Sequence, residues 1–122
     1  MKKVILIAAT LLALVTEANA GWTQFFVTDE GTNIYYSPET ITRHNNNLIS
    51  VTVWLQNPVP KNGYYGTMAS NTISCNTGES NMTYIWDIDY RGDSINGRPT
   101  NPYYARIPIN SAIHALEKMF CH

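Results

Sequence analysis

The sequence predicts an α+β fold: a single antiparallel sheet of about six strands, with one C-terminal helix packed on it and stapled to it by a disulfide. Three observations lead there. Aromatic and β-branched residues are plentiful, and the segments between them are rich in asparagine, with a triple at Asn45-Asn46-Asn47. That mixture favours short strands joined by turns. Leu48 to Gln56 alternates strictly, with Ile49, Val51, Val53 and Leu55 on one side and Ser50, Thr52, Trp54 and Gln56 on the other. Period two over that length marks a strand with one buried face. In the tail the period changes, and Ile113, Leu116 and Phe120 fall on one helical face, with Met119 beside them.

The elements follow in order. Trp22 to Thr28 reads as a first strand, closed by turn chemistry from Asp29 to Asn33 in which Gly31 is free to take positive φ. Ile34 to Tyr36 is a short second strand, and Ser37-Pro38-Glu39-Thr40 a turn. The alternating segment to Gln56 is the third strand. Asn57 to Gly63 holds two prolines and is expected to be a loop, because proline cannot donate within a ladder. Thr67 to Cys75 and Met82 to Tyr90 are the fourth and fifth strands. In the fifth, Met82, Tyr84, Trp86, Ile88 and Tyr90 should share a face, with Ile85 on the other. Arg91 to Asn101 is polar and rich in Gly and Pro, hence a loop, and Tyr103 to Ile107 a last short strand. Asn110 or Ser111 can cap the helix that ends near Cys121.

The chain has 122 residues and a formal net charge of −1. Residues 1–20 have the marks of a cleaved signal peptide: Lys2 and Lys3, an apolar run from Val4 to Val15 broken by Thr10, and Ala18-Asn19-Ala20 at its end. A bilayer span needs about 20 apolar residues, so this run is short for an anchor. The domain proper is then 21–122, without an integral membrane segment. It carries 6 basic and 8 acidic side chains, which gives no basic field for nucleic acid or an anionic membrane. Export places Cys75 and Cys121 in an oxidising compartment, where a lone pair becomes a disulfide.

No arrangement of residues points to catalysis. His44, His114 and His122 neighbour no serine in a nucleophile motif, and Asp87 and Asp89 read as solvated carboxylates. No phosphate-binding glycine loop, calcium loop or zinc spacing is present, so no metal or cofactor is expected. The candidate binding residues lie elsewhere. Arg91-Gly92-Asp93 is an Arg-Gly-Asp tripeptide in an expected loop, able to offer a guanidinium and a carboxylate to a receptor. Trp54 lies on the polar side of its strand, where a loop covers it or a partner meets it. Tyr64 and Tyr65 form one of three adjacent tyrosine pairs, and on a strand one member of each pair faces outward.

In order along the chain, Trp22, the stretch IYYSPETI from Ile34 to Ile41, the strand Val51-Thr52-Val53-Trp54-Leu55, Ser70 before Cys75, and Ile107-Pro108-Ile109-Asn110-Ser111 leading to Cys121 resemble the surface-adhesin protein E family of Gram-negative bacteria. The resemblance covers roughly Trp22 to Cys121. It implies one antiparallel sheet with a C-terminal helix, and binding of host extracellular-matrix or serum proteins. The adhesin that names the family is a lipoprotein, whereas no cysteine follows Ala20 here, so a lipid anchor is not expected. The expected function is therefore that of an exported, non-enzymatic protein-binding domain of the periplasm or cell surface. The alternative is a periplasmic accessory subunit that binds another envelope protein, for instance by accepting its strand at a sheet edge.

Overall fold

The computed structural model describes residues 21–100 and 103–121. The leader read over residues 1–20 lies outside them, as does His122. The described chain is mostly antiparallel sheet with one C-terminal helix. Its strands are β1 (Thr23–Val27), β2 (Asn33–Tyr36), β3 (Thr42–His44), β4 (Leu48–Lys61), β5 (Tyr64–Ser74), β6 (Glu79–Ile88), β7 (Ser94–Pro99) and β8 (Ala105–Arg106), and the helix α1 is Ala112–Phe120. The spatial order is β1-β2-β4-β5-β6-β7, with β3 paired to β4 and β8 paired to β6.

Eight strands are described where the sequence suggested six. β3, with three residues, is too short to show a period, whereas β8 falls within the last short strand expected from Tyr103 to Ile107. β7 lies inside the Gly- and Pro-rich segment expected to be a loop. It tolerates Gly97 and Pro99 because it is an edge strand, with a neighbour on one side only. The expected loop at Asn57 to Gly63 is also corrected, since β4 runs on to Lys61. Pairing with β2 stops at Asn33–Gln56, and pairing with β5 shifts register between Gln56 and Lys61. Pro58 and Pro60 therefore fall in a bulged stretch where no ladder N–H is needed. Asn62 and Gly63 then close the hairpin with φ of 54° and 83°, the positive pair that a two-residue type I′ turn requires.

One face of the sheet is covered by α1. Val51, Val53, Ala69 and Ile73 join Ile107 and Leu116 in a buried cluster, with Phe25, Tyr36, Ile113 and Phe120 packed around it. Leu116 and Ile73 are fully buried. The helix starts where Ser111 accepts a hydrogen bond from the His114 N–H at 3.1 Å, a cap of about 1 kcal/mol. At its other end Arg43 Nη1 donates to the Phe120 carbonyl at 3.2 Å. Cys121, just past the helix, is bonded to Cys75 just past β5, with Cα atoms 5.4 Å apart. The staple thus joins the end of the helix to a central strand. No helix among the described residues is long and apolar enough to cross a membrane.

Candidate functional site

Among the described residues, no α-helix covers the other face of the sheet. Directly opposed residues on neighbouring antiparallel strands share a face. Tyr35 pairs with Trp54, Trp54 with Met68, and Met68 with Trp86. These four side chains form a row across β2, β4, β5 and β6. Tyr35 stacks on Trp54 with ring centroids 5.0 Å apart, and Trp22 meets Trp54 edge-on at 5.7 Å. At the far end Tyr84 packs on Trp86 at 4.8 Å. Such ring contacts each add about 0.5–1.5 kcal/mol beyond the area they bury.

Trp54 is half-buried, with the rings of Trp22, from the segment before β1, and Tyr35, from β2, against it. Its indole N–H is buried and finds no hydrogen-bond acceptor among the described residues. A buried donor left so costs about 1–3 kcal/mol. Gly66 makes room beside it, since a Cβ there would lie 3.3 Å from Trp54 Nε1 and only 2.2 Å from the Leu55 carbonyl oxygen. Gly97 does the same for Trp86, whose Nε1 would be 2.7 Å from an added Cβ. The large ring lies over a glycine on the edge strand, which shields backbone that has no side chain of its own. Tyr35 is buried, its hydroxyl donates to Gln56 Oε1 at 3.2 Å, and burial pushes its pKa above tyrosine's ordinary value.

Along the strands the character of this face changes. Thr52 meets Ser70 at 3.4 Å, Ser50 meets Thr72 at 3.2 Å, and His44 Nε2 meets Ser50 Oγ at 3.0 Å. This last contact joins a histidine and a serine that share no nucleophile motif in the sequence. It lies in an open, polar hollow, and the hydroxyl is shared with Thr72.

Both expected tyrosines and the tripeptide lie at the aromatic end of the sheet, because the β4–β5 and β6–β7 hairpins turn at that same end. Tyr64 is half-buried and accepts a hydrogen bond from Asn96 Nδ2, which also donates to Asp87. Asp87 is further engaged by Arg98 at 3.2 Å, so this carboxylate ties two strands together. Tyr65 is exposed. Arg91-Gly92-Asp93 forms the tip of the β6–β7 hairpin. Asp89 holds it by accepting from the Arg91 and Asp93 N–H groups at 2.9 and 3.0 Å, and Gly92 takes φ of 84°. Arg91 and Asp93 are each about two-thirds exposed but face each other at 3.7 Å. A receptor gripping both must part them, at a cost below about 1 kcal/mol for an exposed pair.

Of the residues singled out from sequence, Trp54 is thus in the row, and Tyr64, Tyr65 and Arg91-Gly92-Asp93 flank it. Sequence reasoning missed Trp22, Tyr35, Met68, Tyr84 and Trp86 as parts of one surface. The expected shared face from Met82 to Tyr90 is also corrected. Ser70 pairs with Tyr84 but Asn71 with Met82, so an extra residue in β6 turns Met82 to the helix side. No group of metal-ligating side chains occurs among the described residues. Searches of family models, of curated proteins and of solved structures each found no match to the chain.

Proposed function

We propose that residues 21–122 form an exported, non-enzymatic protein-binding domain of the surface-adhesin protein E type, which meets a host matrix or serum protein on the open face of its sheet. The observation that carries the reading is the in-register row of Tyr35, Trp54, Met68 and Trp86 on a face with no helix over it. Aromatic residues and methionine are enriched in protein interfaces, where large rigid rings give contact area at small entropic cost. The tripeptide turn lies at the aromatic end of this surface. Export rests on the leader residues Lys2 to Ala20.

A second reading is favoured by the difference between the two sheet edges. β7 carries Arg98 and Pro99, which discourage strand addition, whereas β1 (TQFFV) has neither charge nor proline. In this reading a strand of another envelope protein adds to β1, and the domain is a periplasmic accessory subunit.

Protease shaving of intact cells separates the two. Removal of the protein by shaving, with saturable binding of the soluble domain to laminin, vitronectin or fibronectin at micromolar concentration, is the expected result. Protection from protease, release with the periplasm and no such binding would sink the adhesin reading and leave the edge-strand one.

A further inference from the structure

The helix-covered face is incompletely filled. Between the first turn of α1 and the sheet lies a cavity of about 260 Å³, walled by Ile34, Val53, Leu55, Ala69, Ile85 and Ile113. Two polar side chains line it, the hydroxyl-bearing Thr67 and Asn71, and Asn71 is only 4% exposed. Asn71 stands in the central strand opposite Val51 and Met82, where an apolar residue would suit the core. Its Nδ2 donates to the Ala69 carbonyl at 3.3 Å, two residues back on its own strand. Its Oδ1 accepts no hydrogen bond among the described residues. An amide with a spare acceptor is an unusual lining for a largely apolar cavity, and a ligand's donor would use it.

We propose that this cavity binds a small apolar molecule carrying a single hydroxyl or N–H donor, with the donor held by Asn71 Oδ1. The mostly apolar walls suit a hydrocarbon body, and the Asn71 amide, fixed in the central strand, orients it, the usual division of labour in small-molecule sites. A dry cavity of about 150 Å³ takes a benzene ring, so this one has room for a ring and a short chain. Met82, 40% exposed, forms the rim, and its flexible side chain can move aside for entry. The site is distinct from the open face and does not depend on the proposed adhesive function.

The test is a titration of the folded domain with 4-propylphenol and with propylbenzene, read on the methyl NMR signals of Ile34, Val53, Ile85 and Ile113. Saturable shifts with the phenol, at least tenfold weaker binding of the hydrocarbon, and loss of that preference in Asn71→Leu are expected. Asn71→Leu should also be at least as stable as the parent, because an amide kept for a ligand does nothing for the empty fold. Ala112→Leu, which fills the cavity from the helix side without touching Asn71, should block the phenol. No shift with either probe, equal binding of both, a less stable Asn71→Leu protein or unimpaired binding to Ala112→Leu would each overturn the proposal. A destabilised Asn71→Leu would assign the amide to holding the register shift beside it.

Discussion

The two faces of the sheet use apolar residues in opposite ways. On the helix side, small and branched residues such as Val51, Val53, Ala69 and Ile73 interdigitate beneath Leu116 and are almost wholly buried. On the open side, large rings lie across the strands and shield one another, with no α-helix above them among the described residues. The first arrangement is that of a core, in which each side chain is held by many neighbours. The second keeps partly exposed aromatic surface and an unsatisfied indole N–H, features that a face serving only stability would have little reason to retain. If the open face binds as proposed, the pleat of the same strands separates stability from recognition, and unequal responses to mutation test that separation.

The largest effect should come from the staple. The two cysteines are 46 positions apart, and closing a loop of that length constrains the unfolded chain by about 4 kcal/mol. Cys75→Ala should lower the denaturant midpoint by a corresponding amount while leaving any open-face binding intact in the protein that remains folded. Leu116→Ala comes next. It empties a fully buried position at the centre of the helix contact and should cost about 3 kcal/mol, measured by urea unfolding, again without changing the affinity of the folded protein.

Gly97→Ala acts on the other face. The new methyl would collide with Trp86 Nε1 and Cδ1 at 2.7 and 2.8 Å, and relieving the overlap should cost about 1–2 kcal/mol. The indole must also leave its place, so this variant should lose binding out of proportion to its stability, and a red shift of tryptophan fluorescence would report the movement. The smallest effect concerns pH. Burial raises the pKa of Tyr35 in the folded protein. The neutral phenol's contribution is complete below tyrosine's ordinary value of about 10. It is lost as pH rises from there through the higher folded value, because the unfolded chain gives up the proton first. Stability measured from pH 8 to 11 should fall more steeply for the parent than for Tyr35→Phe.

Much of this fold is legible in the sequence. The alternation from Ile49 to Gln56 defined the central strand and its buried face, and the Ser111 cap with Ile113, Leu116 and Phe120 defined the helix. Cys75 and Cys121 linked the two. What failed did so for local reasons. Pro58 and Pro60 disguised the end of β4, although the Asn62-Gly63 pair beyond them is a hairpin signal in its own right. The bulge in β6 shifted the alternation by one residue, so that Met82 and Tyr84 parted company. The aromatic row was not legible at all, because it runs across strands. Tyr35, Trp54, Met68 and Trp86 are far apart in the chain, and only the pairing register brings them into line.

The most direct test of the account places the same charge on each side of the molecule and reads binding. Met68→Arg puts a guanidinium in the middle of the aromatic row, and Met119→Arg puts one on the exposed side of the helix. Purified parent and variants, checked for equal thermal stability, would be passed over immobilised laminin, vitronectin and fibronectin. Saturable binding by the parent, at least tenfold weaker binding by Met68→Arg and no change in Met119→Arg are expected. Equal binding by all three proteins, or loss only in Met119→Arg, would contradict the assignment of recognition to the open face.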